Sequence, residues 1–210
     1  GAWQTSSENG VIGTWTITEN HFSIAYYKSD PAEFLYTEGG KLSMKAGEMS
    51  FTWEYHTKKS EFVGQTKTYS ITTSQDKLTI SDTDWTRTDD GKPGELQGAW
   101  LITGRKRNGE INTMTPGARR TMKILSGTRF QWIAYNVDTK EFSGTGGGTY
   151  GTVNGRYTEN IEFFSRDNNR VGASLGFDFE VKDGNWHHSG KSSKGNPIYE
   201  IWSTRKSIGM

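Results

Sequence analysis

The stretch Arg156-Tyr157-Thr158-Glu159-Asn160-Ile161-Glu162-Phe163 puts Tyr157, Glu159, Ile161 and Phe163 on one side and Arg156, Thr158, Asn160 and Glu162 on the other. Alternation with period two is the signature of a strand with one buried face. The stretch Glu48-Met49-Ser50-Phe51-Thr52-Trp53-Glu54-Tyr55, 108 positions upstream, has the same pattern, with Met49, Phe51, Trp53 and Tyr55 on the apolar side. One strand has therefore been read twice, and the rest of the chain follows the same rule.

The offset of 108 aligns the two halves without a gap from Phe22 to Ile71. Identical pairs are Phe22/Phe130, Tyr27/Tyr135, Asp30/Asp138, Glu33/Glu141, Phe34/Phe142, Thr37/Thr145, Gly39/Gly147, Gly40/Gly148, Gly47/Gly155, Glu54/Glu162, Val63/Val171 and Gly64/Gly172. Each half also opens on Gly-Ala-Trp (Gly1-Ala2-Trp3 and Gly98-Ala99-Trp100) and closes on Trp85-Thr86-Arg87 or Trp202-Ser203-Thr204-Arg205. An internal repeat of this length is a pair of tandem structural units. The polar, turn-rich run Asp89 to Gly94 separates them, giving units at 1–90 and 98–206. The second unit has a longer excursion, Gly104 to Arg120, and an extra loop, His188 to Asn196.

Further strand faces follow from alternation: Phe130, Trp132 and Ala134, and then Ala173, Leu175, Phe177, Phe179 and Val181. Turn signals such as Asn108-Gly109, Asn154-Gly155 and Asp183-Gly184 recur every eight to twelve residues. No stretch carries a helical period. The expected class is all-β: two tandem antiparallel up-and-down barrels of about eight strands each.

Composition agrees. Hydrophobic residues are 31%, mean hydropathy is −0.78, yet aromatics reach 13% with 8 Trp, which excludes a disordered chain. There are 26 Gly, 4 Pro and no Cys, so disulfides, thiolate metal sites and cysteine nucleophiles are excluded. A net charge of +1 gives no electrostatic footprint for nucleic acid. No apolar run approaches the ~20 residues of a membrane helix. The start at Gly1 reads as a trimmed chain, and the expected location is periplasmic, secreted or outer-membrane-associated.

The first-strand Gly-x-Trp, the eight-strand meander and the closing Trp-x-x-Arg resemble the lipocalin-like (calycin) superfamily. The second half is similar to lipocalin-like domains of uncharacterised secreted proteins from gut anaerobic bacteria. The residues that carry this are Met122-Lys123-Ile124-Leu125, Thr128-Arg129-Phe130-Gln131-Trp132, the glycines 146 to 148, Tyr157-Thr158-Glu159, Trp186-His187-His188-Ser189-Gly190 and Glu200-Ile201-Trp202. The resemblance implies a ligand-binding or accessory module and lends no settled activity.

Glu159 draws the functional reading, because it occupies an inward position where the first half has Phe51. A buried carboxylate is costly unless it is paired or hydrogen-bonded. It either orients a ligand inside the barrel with Tyr157, or lies at a mouth, solvated or paired with an arginine. Trp186 and His188 share one face of a late strand that curves back toward it, and Glu200 alternates toward the same space. His188 and Glu159 would grip a hydroxyl-rich ligand; the alternative for His187-His188 is a solvated turn. Trp132, Trp186 and Trp202 form either a stacking platform or core filling, the latter stronger for Trp202. Gly146-Gly147-Gly148 lacks the residues of a phosphate loop and reads as a bulge. Arg105-Lys106-Arg107 and Arg119-Arg120 read as solvated.

No Gly-x-Ser-x-Gly and no carboxylate clearly paired with Glu159 supports catalysis. His spacing fits no metal motif, and no cofactor is expected. The expected function is thus a non-catalytic binding protein with Trp132, Tyr157, Glu159, Trp186, His188 and Glu200 lining a site in the second barrel. The partner is a small molecule, a carbohydrate or similar polar compound. Alternatives are a carrier of a hydrophobic ligand such as a fatty acid, and an interaction module with filled barrels.

Overall fold

The computed structural model describes residues 1–92, 94–192 and 195–210. Pro93 of the linker and Ser193-Lys194 of the late loop lie outside the described residues. Every strand pairing is antiparallel. The first barrel comprises β1 (Ala2–Ser6), β2 (Val11–Ile17), β3 (His21–Ser29), β4 (Ala32–Lys45), β5 (Glu48–His56), β6 (Thr66–Thr73), β7 (Lys77–Ile80) and β8 (Thr83–Asp89). It closes where Trp3 on β1 pairs with Arg87 on β8, and the Arg87 guanidinium sits 4.3 Å from the Trp3 ring centre.

The second barrel comprises β9 (Gly98–Arg107), β11 (Arg119–Leu125), β12 (Arg129–Asn136), β13 (Phe142–Val153), β14 (Arg156–Phe164), β15 (Ser174–Lys182), β16 (Asn185–Lys191) and β17 (Pro197–Thr204). It closes through β17–β9. The excursion after Gly104 folds as a short extra strand, β10 (Glu110–Thr113), hairpinned onto β9. The late loop begins later than its sequence suggested, since His188 lies within β16. Two tandem eight-strand barrels of this kind are compatible with a lipocalin-like fold. No helix among the described residues is long and apolar enough to cross a membrane.

The turn chemistry is visible at β13–β14. Val153 pairs with Arg156, and the two residues between them, Asn154 and Gly155, have φ of 50° and 74°. Two consecutive left-handed residues match the twist of a hairpin, which is why Asn-Gly marks it.

Alternation holds along each strand until a bulge. Gly40 pairs with Trp53 and Gly39 with Tyr55, so Glu54 is an extra residue on β5. Gly148 pairs with Ile161 and Gly147 with Phe163, so Glu162 is its counterpart on β14. One inserted residue reverses the phase beyond it. Met49, Phe51, Trp53, Tyr157 and Ile161 therefore point inward as expected, but Tyr55 and Phe163, expected inside, turn outward. The glycines make room: a Cβ on Gly39 would lie 2.1 Å from the Tyr55 hydroxyl, and one on Gly147 2.5 Å from Phe163 Cζ. Val181, also expected inside, is 46% exposed near the open end of β15, where the barrel no longer covers it.

The outward turn serves the contact between barrels. Ser23 Oγ donates to Gln131 Oε1 at 2.5 Å, and these two residues hold equivalent positions in the repeats. The Tyr27 hydroxyl donates to Glu162 at 2.6 Å, and the Tyr135 hydroxyl to Glu54 at 2.6 Å. Phe34 stacks with its own counterpart Phe142. Tyr55 packs on Tyr135 and Phe163 on Tyr27, with ring centres 4.8 and 4.9 Å apart. Residue i contacts j and the equivalent of j contacts the equivalent of i, which is the pattern of a two-fold, self-complementary interface within one chain. The linker is tied down as well. Asp89 accepts from Ser126 Oγ (2.7 Å), Thr128 Oγ1 (2.6 Å) and the Gly127 and Thr128 amides of the β11–β12 turn.

Candidate functional site

Four of the expected site residues meet inside the second barrel. Tyr157 and Glu159 come from β14, Trp186 and His188 from β16, and all are buried. Their centre is a residue the sequence reading gave no role, Lys123 on β11. Its ammonium donates to Glu159 Oε1 at 2.7 Å. It also lies 4.9 Å from the ring centres of Tyr157 and Trp186, 5.5 Å from Trp202 and 5.7 Å from Phe177. Aromatic faces and one carboxylate thus replace the water that a buried ammonium gives up.

His188 packs on Phe177 with ring centres 4.3 Å apart, and its Nδ1 is 3.5 Å from Glu200 Oε2. Glu200 in turn lies 3.6 Å from Arg105 Nε. Burial, then the Lys123 charge, holds the His188 imidazole below its ordinary pKa. Burial acts to raise Glu200, but His188 and the Lys123 charge outweigh it and hold it low. Burial and the Glu159 charge push the Tyr157 hydroxyl well up. The cluster is a chain of charges whose groups without a hydrogen-bond partner are the Tyr157 hydroxyl, both ring nitrogens of His188 and the indole N–H groups of Trp186 and Trp202.

Trp132 stands apart from this cluster. Its ring packs edge-on against Phe164 at 5.6 Å and beneath the Arg166 guanidinium at 5.6 Å. A Cβ on Gly146 would lie 2.7 Å from its Nε1, so the indole fills the space above that glycine.

The first barrel differs at these positions. Ile24 replaces Trp132 and Glu38 replaces Gly146 in the repeat register. A cavity of about 190 Å³ remains there, walled by Trp15, Phe51, Trp53, Trp85, Tyr26 and Tyr69, among others. Glu38 reaches it, and its Oε2 accepts from Trp53 Nε1 at 2.7 Å.

A larger cleft of about 650 Å³ opens between the barrels. The β2–β3 turn (Thr18, Asn20), the outer face of β4–β6 (Ser43, Ser50, Thr52, Thr66), Gln97 just ahead of the second unit and Thr204 within it give it hydroxyl and amide groups, and Glu19, Lys41 and Lys206 add charges of both signs. His21 and Arg205 form its floor. Arg205 makes a two-pronged pair with Glu54, Nη1 to Oε2 and Nη2 to Oε1, both at 2.7 Å. Its Nε and the His21 Nε2 are buried without a partner. Burial, then the neighbouring Arg205 charge, holds His21 down at about 3. Sequence reasoning gave none of these lining residues a binding role, because the cleft takes its shape only once the two barrels dock. Among the described residues no group of three or more His, Asp or Glu side chains is arranged to hold a metal ion.

No protein-family model matches the chain, and no curated protein matches it in sequence.

Proposed function

We propose that the protein is a non-catalytic binding protein for a hydroxyl-rich small molecule, of the carbohydrate class, and that the ligand lies in the cleft between the barrels. The observation that carries this is the cleft itself. At about 650 Å³ it falls within the ~300–1,000 Å³ typical of ligand sites, and it lies at a domain interface, where such sites concentrate. Its hydroxyls and amides offer both donors and acceptors, the pairing that sugar hydroxyls need.

The site sits away from the residues expected to bind. Lys123 already satisfies Glu159, so that carboxylate reads as half of an internal pair rather than a ligand grip. Nor is the cleft set up for proton transfer. A general acid or base works best with a pKa near the operating pH, whereas His21 is held at about 3 and Glu54 at about 2. The fatty-acid alternative is disfavoured by size, since the first-barrel cavity of about 190 Å³ is smaller than a typical site and carries a carboxylate. The resemblance of the second half to lipocalin-like domains of secreted proteins supports a binding role outside the cytoplasm.

The test is a glycan panel followed by calorimetry on the intact chain. Asn20→Ala and Gln97→Ala are expected to weaken binding of any hit, and Glu159→Gln to leave it unchanged. Failure of every glycan to bind, or affinity indifferent to both cleft variants, would overturn the reading.

A further inference from the structure

The two barrels treat one position in opposite ways. The second carries its own cation: Lys123 extends into the interior, where Glu159 and four aromatic rings hold its ammonium. In the first, Trp15 stands at the equivalent of Lys123 and Phe51 at the equivalent of Glu159, so neither the internal cation nor its carboxylate is present. A carboxylate enters instead from another strand. Glu38 stands where the second barrel has Gly146, and space is left beside it because Ile24 stands where the second barrel has Trp132.

We propose that the first barrel binds a small organic ammonium ion in this cavity, with Glu38 as its counter-charge and the surrounding rings as its wall. Glu38 is the one charged side chain among the lining residues, and Trp53 Nε1 fixes its orientation. Rings of Trp and Tyr attract cations through their faces, most strongly where water is excluded. The volume of about 190 Å³ suits a ligand of few heavy atoms. Trp15 and Trp85 also line the cavity, and their buried indole N–H groups have no partner, so an acceptor oxygen on a ligand seated against these rings is the group that would complement them. An amino alcohol such as choline has both features. The imidazole of His56, 3.7 Å from Glu38 Oε2, is held below its ordinary pKa by burial and leaves the carboxylate charge uncancelled. Lys58 lies over the Tyr36 ring and Lys59 and Lys67 over Phe62, with Glu61 beside them, so the cations near this end are engaged on rings outside the cavity lining.

This site is independent of the cleft, and so is its test. The intact chain is titrated with tetramethylammonium and with choline, following tryptophan fluorescence, against the neutral isostere 3,3-dimethylbutan-1-ol. Both cations are expected to give a saturable change that the isostere does not match. Glu38→Gln keeps an acceptor for Trp53 and is expected to weaken choline at least roughly tenfold, the scale of losing a charged partner. Ile24→Trp, copying Trp132, is expected to fill the cavity and abolish the response; if it does not fold, Glu38→Gln and the isostere decide alone. An isostere that binds as tightly as choline, an unchanged affinity in Glu38→Gln, or no saturable response to either cation would overturn the proposal. Each of these leaves glycan binding in the cleft untouched.

Discussion

Lys123 and Glu159, joined at 2.7 Å, stand where the first barrel places Trp15 and Phe51, whose ring centres are 5.8 Å apart. The register fixes the equivalence, because Lys123 faces Trp132 on β12 as Trp15 faces Ile24 on β3. An aromatic contact and an ion pair thus fill the same place in two copies of one fold. Breaking a buried pair by removing one partner strands a charge, whereas replacing both partners is often neutral or stabilising. Lys123→Met is therefore expected to cost about 3–5 kcal/mol, and Lys123→Met with Glu159→Leu to recover most of that loss. Urea unfolding followed by tryptophan emission measures both. A double variant no more stable than the single one would show that the pair does more than satisfy itself.

The strands were legible because period two survives wherever one face is buried, and it failed at Tyr55 and Phe163 because one inserted residue, Glu54 or Glu162, reverses the phase. The signal was present: Tyr27/Tyr135, Phe34/Phe142, Thr37/Thr145 and Glu54/Glu162 are identical pairs, and all lie on the face between the barrels. A repeat that keeps tyrosine and phenylalanine on an outer face is covering that face. Lys123 escaped notice because the gapless alignment begins at Phe22, seven positions after Trp15. The geometry of the cleft and of the first-barrel cavity was not legible. One depends on docking, and the other on differences in side-chain volume at Ile24/Trp132 and Glu38/Gly146 that no pattern of polarity encodes.

Two glycines of β13 differ sharply in the room around them. A Cβ on Gly148 would lie 2.0 Å from the Asn160 carbonyl oxygen, and φ there is 156°. A Cβ on Gly151, three residues along β13, meets nothing within 4 Å. Gly148→Ala is expected to unfold the second barrel or cost more than ~3 kcal/mol, since backbone cannot yield as a side chain does. Gly151→Ala is expected within about 0.5 kcal/mol of the parent. Thermal unfolding of the two variants side by side tests the bulge geometry, and equal effects would refute it.

The two equivalent tyrosine–carboxylate bonds differ in burial, and that decides their worth. Glu54 is 9% exposed and Glu162 33%. A hydrogen bond to a charged group contributes roughly 1.5–3 kcal/mol, less where water competes. Tyr135→Phe is expected to lose an amount near the upper end of that range and Tyr27→Phe near the lower. Chemical denaturation that ranks Tyr27→Phe as the more damaging would mean that Arg129, which also binds Glu162, matters less than the tyrosine.

Acid sensitivity follows from the groups beneath the cleft. Burial alone would raise Glu54, but the hydrogen bonds and charge of Arg205, with Tyr135 and Arg120, hold it at about 2 against an ordinary 4.5. A carboxylate whose folded pKa is depressed contributes stability that is present above 4.5 and lost as pH falls through 2. The shift corresponds to roughly 3 kcal/mol. His21 acts in the same direction. Burial holds it at about 3 against an ordinary 6.5, so the cost of keeping it unprotonated in the fold begins below pH 6.5 and is complete below 3. The parent is therefore expected to lose stability first through His21 and then through Glu54, with His56 and His188, also held low by burial, adding to the earlier part. His21→Phe is expected to flatten the upper part of that fall. Glu54→Gln is expected to be less stable at neutral pH, because Arg205 is left buried and unpaired, yet flatter between pH 4.5 and 2. Urea midpoints across this range check both. A Glu54→Gln profile that falls as steeply as the parent's below pH 4.5 would place the acid-sensitive group elsewhere than between the barrels.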